Sequence, residues 1–131
     1  MNNIYVIGHK SPDLDSVAAA ISYANLKNTI EDTNEYKAVI AGEVNKETKY
    51  ILEKLGLEVP ERLESLAGKD VVLVDHNEAS QSCDGVEEAN IIEILDHHKL
   101  DFKNSEPIMV TIKPWGASCS IVASMYMENL V

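Results

Sequence analysis

Three short apolar runs in this chain end on an acid or an imidazole. "YVIGH" ends at His9, "VVLVD" at Asp75, and "IIEILDHH" at Asp96, His97 and His98. Each run is short and rich in β-branched residues, so each reads as a buried strand. The segments between them carry a different period. Asp15 to Leu26 places Val17, Ala20, Ile21 and Ala24 on one broad apolar face, which predicts a helix. "YKAVIAG", ending at Gly42, reads as a strand. "NKETKYILEKLG" reads as a helix, with Asn45 as its N-cap and Gly56 as its stop. "ERLESLAGK" suggests a short helical piece, and "CDGVEEAN" a turn with a short helical segment. "PIMVTIKP" reads as a further strand, followed by a helix from about Ser118 to Asn129. Strands alternating with helices predict an α/β fold, a mostly parallel sheet with helices on both faces.

At 131 residues and 45% hydrophobic composition, the chain suits one domain with a real core. No apolar run approaches membrane-spanning length, and the amino terminus lacks a basic stretch followed by a long apolar one. The expectation is a cytoplasmic protein with no membrane partner. Cys83 and Cys119 stand far apart, which disfavours a disulfide scaffold or a CxxC zinc site. The formal charge of −11, without any basic stripe, argues against nucleic acid as a general partner. An anionic ligand would then need bound cations to overcome the field.

In an open parallel sheet, ligands bind beyond the carboxyl ends of the strands. All four histidines, His9, His76, His97 and His98, lie just after an apolar strand. "SPDLDS" has a structural reading: Ser11 as N-cap, Pro12 as first helical residue, and Asp13 and Asp15 as acids favoured at the positive end of a helix. That reading leaves His9 without a role. An acid such as Asp75 closing a strand can cap a loop or pair with a lysine. Adjacent imidazoles beside Asp96 are harder to explain structurally, because they repel when protonated. Cys119, Trp115, Met125 and Met127 read as packing residues. Together His9, Asp13, Asp15, Asp75 and His97 offer carboxylate and imidazole ligands suited to Mn²⁺, Co²⁺, Fe²⁺ or Zn²⁺. Five ligands exceed the need of one open catalytic ion, whereas two ions sharing a carboxylate would use them all.

"GHKSPDLDS", "VDHNE" and "LDHH" together resemble the DHH phosphoesterase superfamily, and within it the family II, manganese-dependent inorganic pyrophosphatases. "GEVNKET" and "GASCSIV" resemble further segments of that family. The resemblance implies that His9, Asp13 and Asp75 hold one metal ion, and that Asp15, Asp75 and His97 hold the other, with Asp75 shared. It makes His98 and Asp96 the catalytic candidates. His98 would contact phosphate and help protonate the leaving group, and Asp96 would orient the neighbouring imidazoles. It implies Mn²⁺, two per site, with Co²⁺ or Mg²⁺ as alternatives, pyrophosphate as substrate and a homodimer as the assembly. Ser11 and Leu14 stand where the family usually has asparagine and threonine. The family also continues to another metal-binding aspartate and a smaller substrate-binding domain rich in lysine and arginine. Residues 1–131 are therefore expected to be a truncated DHH phosphoesterase domain without that C-terminal domain, weak or inactive in isolation. Two alternatives stand beside this reading: a phosphodiesterase of the same superfamily acting on short oligonucleotides or cyclic dinucleotides, and a noncatalytic metal-binding remnant.

Overall fold

The computed structural model describes residues 2–104 and 106–131. Six strands form one sheet: β1 (Ile4–Ile7), β2 (Tyr36–Ile40), β3 (Glu61–Arg62), β4 (Asp70–Val74), β5 (Asn90–Asp96) and β6 (Met109–Ile112). Their order is β3-β2-β1-β4-β5-β6, and every neighbouring pair runs parallel. Three α-helices accompany the sheet: α1 (Leu14–Glu31), α2 (Lys46–Lys54) and α3 (Ser118–Glu128). The parallel α/β sheet is as predicted, but the three α-helices pack on one face rather than on both.

The strand order places the site. Winding proceeds outward from β1 to β3, then restarts beside β1 at β4 and proceeds the other way to β6. At such a reversal the loops leaving β1 and β4 part to opposite sides and open a crevice beyond the strand ends. Ile7 pairs with Leu73 in the register, so His9 and Asp75 both emerge into that crevice.

The two faces of the sheet are covered unequally. Val6, Val72, Val74 and Leu95 pack against Ala19, Ala20, Tyr23 and Ala24 of α1 and Ile121 and Val122 of α3. Three alanines on α1 keep that helix close to the strands. Leu52 of α2 joins the same side through Ile40 and Val17. The opposite face, with Ile7, Val39, Val71, Leu73 and Ile94, is covered by Leu63, Leu66, Cys83, Val86 and Phe102. Its helical content is two 3-10 turns, Ala79–Gln81 and Val86–Glu88, the second within the predicted "CDGVEEAN" turn. Leu73, Ile94 and Leu95 are fully buried. Truncating any of them to alanine would cost about 2–5 kcal/mol.

Several local expectations are corrected. "ERLESLAGK" forms no helix: Glu61 and Arg62 pair with Val39 and Ile40 as an edge strand. The sheet edge supplies backbone partners there, which outweighs helix propensity. Asp13, not Ser11, caps α1, accepting a hydrogen bond from the Ser16 N–H at 2.9 Å. The helix runs to Glu31, beyond the predicted Leu26, and ends at Asp32, a residue in the left-handed region at φ 51°. Trp115 and Met127 are exposed rather than packed, whereas Met125 reaches the core. Cys83 and Cys119 are both free thiols. Among the described residues no helix is long and apolar enough to cross a membrane.

Candidate metal centre

Four elements deliver the predicted residues to one place. His9 follows β1, Asp13 and Asp15 open α1, Asp75 closes β4, and Asp96 to His98 close β5. The turn after β1 depends on Gly8. A Cβ there would stand 1.7 Å from Ser16 Oγ, so only glycine admits this approach. The same Ser16 Oγ accepts the His9 N–H at 3.0 Å and fixes the start of the turn. Asp75 lies in the left-handed region at φ 62°, a conformation that costs a non-glycine residue about 1–3 kcal/mol. Its N–H still bonds Leu95 O at 2.9 Å, so the sheet holds the bend and turns the carboxylate into the crevice.

That carboxylate faces two ways. Asp75 Oδ2 lies 3.3 Å from His9 Nε2, which in turn lies 3.7 Å from Asp13 Oδ1. Asp75 Oδ1 lies 3.1 Å from His97 Nε2, which lies 3.8 Å from Asp15 Oδ2. Two donors each about 2.1 Å from one ion stand roughly 3.0–3.4 Å apart at octahedral or tetrahedral angles. The pairs with Asp75 match that spacing, and the pairs with Asp13 and Asp15 exceed it by a few tenths of an ångström. The donor types and spacings on both sides of Asp75 suit divalent cations. His97 Nδ1 sits 3.1 Å from the Trp115 carbonyl, which accepts its N–H and leaves Nε2 bare for a metal.

Asp96 and His98 also lie close enough to Asp75 and His97 to suggest an alternative cluster. The hydrogen bonds argue against it. Fully buried Asp96 accepts from His97 N–H and from His98 Nδ1 through Oδ1, both at 2.7 Å, and from Asn77 Nδ2 at 2.8 Å through Oδ2. It orients its neighbours instead. His98 is half exposed and keeps Nε2 unbonded at a cleft of about 390 Å³, lined also by His9, Asp75 and Lys99.

The electrostatics follow from crowding. Burial raises the Asp75 pKa above the ordinary carboxylate range, opposed by the hydrogen bond to His9 and reinforced by the charge of Asp15. His9 is raised, chiefly by its hydrogen bond to Asp75, although burial opposes this. Burial also works against ionised Asp15, yet its pKa falls below normal because Cys119 and Ser118 donate to it. Those donors are the first N–H groups of α3, at 2.8 and 2.9 Å from the two carboxylate oxygens. Asp15 therefore caps α3 from 103 residues away, where the cap residue Ala117 has no side-chain acceptor. The fourth histidine is different. His76 is buried, with Nδ1 on Val74 O and Nε2 on Ser82 Oγ, and desolvation pushes its pKa down to about 4.

The profile of the DHH family, N-terminal domain, matches residues 3–130. The chain belongs to the DHH family. This DHH chain is 50% identical over 129 residues to a manganese-dependent inorganic pyrophosphatase of Methanothrix thermoacetophila, covering 98% of this chain and 41% of that protein. It is 40% identical over 134 residues to the manganese-dependent inorganic pyrophosphatase of Bacillus subtilis, covering 100% of this chain and 43% of that one. Its fold superposes on the crystal structure of a Methanococcus jannaschii protein assigned to the family II inorganic pyrophosphatases, with a TM-score of 0.83 and 39% identity. That match covers 96% of this chain and 39% of the other. An exopolyphosphatase-related protein from Bacteroides fragilis shares the fold at TM-score 0.62 and 16% identity, over 97% of this chain and 39% of its own. The DHH chain thus spans about two fifths of the length of the relatives it matches.

Three contributors to the site carried no role in the sequence reading. Ser118 is buried and donates to Asp75 Oδ1 at 3.1 Å. Ser16 anchors His9, and Asn77 anchors Asp96. Asn77 and Ser118 sit inside "VDHNE" and "GASCSIV", so a motif marked them, but only the fold aims their side chains at the site.

Proposed function

We propose that this chain is the metal-holding domain of a manganese-dependent inorganic pyrophosphatase, hydrolysing diphosphate to two phosphates. The observation that carries the reading is the divided carboxylate of Asp75, one oxygen toward His9 and the other toward His97. His9, Asp13 and Asp75 would hold one Mn²⁺, and Asp15, Asp75 and His97 the second. Such a pair, when bound, supplies activated water and stabilises charge on the entering and leaving oxygens of phosphoryl transfer.

The chain's own residues do the rest. The Ser118 hydroxyl and Trp115 carbonyl hold Asp75 and the His97 ring in orientation. Asp96 accepts the His98 Nδ1–H, so Nε2 faces the cleft, where His98 contacts phosphate and, when protonated, donates to the leaving oxygen. Lys99 is the cationic side chain lining the cleft. We place the assembly as a homodimer in the cytoplasm, in keeping with the resemblance to the family.

The test is phosphate release from pyrophosphate, compared with dinucleotide and cyclic dinucleotide substrates, in Mn²⁺. The reading predicts metal-dependent release from pyrophosphate alone. With one lysine at the cleft and phosphoryl transfer resting mainly on positioning and charge, turnover by these residues is expected to be slow. Release from dinucleotides but not pyrophosphate would assign the chain to a phosphodiesterase. Metal binding without release from any substrate would favour a noncatalytic domain.

A further inference from the structure

We propose that Asn77 is a positioning residue that sets the tautomer and direction of His98, acting through Asp96. Asn77 stands two residues after Asp75, and its hydrogen bonds go to Asp96, Lys99 and Asp101 rather than to His9 or His97. It is 2% exposed, and its amide is fully used. Nδ2 donates to Asp96 Oδ2 at 2.8 Å and to the Lys99 carbonyl at 2.9 Å, while Oδ1 accepts the Asp101 N–H at 2.6 Å. The orientation of the amide is dictated by these partners. A flip would set its oxygen against a carboxylate and a carbonyl, and its NH₂ against an N–H.

The consequence reaches His98. Asp96 has three donors: Asn77 on Oδ2, and the His97 N–H and His98 Nδ1 on Oδ1. With Oδ2 clamped, Oδ1 is held in the plane that receives the His98 Nδ1–H. This selects the Nδ1–H tautomer and leaves Nε2 bare at the cleft, against the Nε2–H form that a free histidine side chain prefers. The two bonds to Lys99 and Asp101 fix the loop that carries His98 to the same amide. Asparagine suits this position because it supplies two donors and one acceptor; aspartate would set a second carboxylate against Asp96 in a buried place. The inference rests on the proposed substrate-facing role of His98, but its test needs no metal and no turnover. Failure here and failure of the pyrophosphatase reading are therefore separable.

The experiment is long-range ¹H–¹⁵N NMR of the histidine rings in the metal-free chain at a pH where His98 is neutral. In the unmutated chain His98 is expected as Nδ1–H; a dominant Nε2–H form would overturn the proposal without any variant. Asn77→Ala should lower the Nδ1–H to Nε2–H ratio of His98 by about tenfold, the scale of weakening one charge-assisted hydrogen bond. The ring of His76, held by Val74 and Ser82, should keep its tautomer. If Asn77 were only a loop staple, the variant would melt earlier with the His98 ratio unchanged, and the proposal would fail. Should Asn77→Ala not fold, Asn77→Ser, which retains a smaller polar group, is read in the same way. Asn77→Gln, keeping the amide, should restore part of the ratio.

Discussion

At the scale of the residue, His76 and His9 are shifted in opposite directions by their surroundings. His76 is the buried one. Its folded pKa is pushed down to about 4 by desolvation, whereas an unfolded histidine titrates near 6.5. Between those values the unfolded chain binds a proton that the folded chain refuses. Stability from this group is therefore complete above about pH 6.5 and is lost as pH falls toward 4, by roughly 3 kcal/mol in all. His9 has the opposite sign: its raised pKa adds stability below the unfolded value, lost as pH rises through the folded one. Comparing a variant with its parent isolates the first effect. Urea unfolding of the parent and His76→Gln at pH 7 and pH 4.5 should show a smaller loss on acidification in the variant. Equal losses in both proteins would mean that His76 is not the buried neutral group described. Composition and position alone revealed that four histidines gather at strand ends. That one of them serves the core depended on Ser82 and Val74, whose approach no spacing encodes.

At the scale of the element, helix caps join distant parts of the chain. Asp13 caps its own helix, and Asp15 caps α3. The net fall in the Asp15 pKa, against burial as the largest opposing cause, reflects hydrogen bonds from Cys119, Ser118 and Asp75. Removing the cap should therefore destabilise the metal-free chain rather than relieve it. Asp15→Ala is expected to cost about 1–2 kcal/mol, measured by chemical denaturation at pH 7. A variant as stable as the parent would show that charge repulsion cancels the cap. Periodicity made most elements legible: β1, β2, β4, β5, β6 and all three helices lie where the apolar pattern places them, although α1 is capped by Asp13 and runs past Leu26. Asn45 does accept the Thr48 N–H at 2.8 Å, and Gly56 does leave α2 at φ 69°. The misses at β3 and at the cap of α3 share a physical cause. β3 is a strand only because β2 offers it an open edge, and the cap of α3 comes from across the molecule. Both are tertiary facts, absent from any local window.

At the scale of the whole molecule, the winding reversal between β1 and β4 gathers three carboxylates, Asp13, Asp15 and Asp75, around one crevice in a chain of net charge −11. Cations that bind there stabilise the folded state by mass action, by about 2.7 kcal/mol at a hundredfold excess over the dissociation constant. The melting temperature should rise by several degrees in Mn²⁺ and return with chelator, as followed by circular dichroism. A melting curve indifferent to both would mean that the acids form no site. The central claim is narrower: one carboxylate serves two ions. Calorimetric titration of Mn²⁺ into the parent and into Asp75→Asn tests it most directly. The account predicts that the variant binds at every site at least about tenfold more weakly, because the lost charge and donor belong to both ions. A variant that binds as many ions as the parent, as tightly, would contradict it.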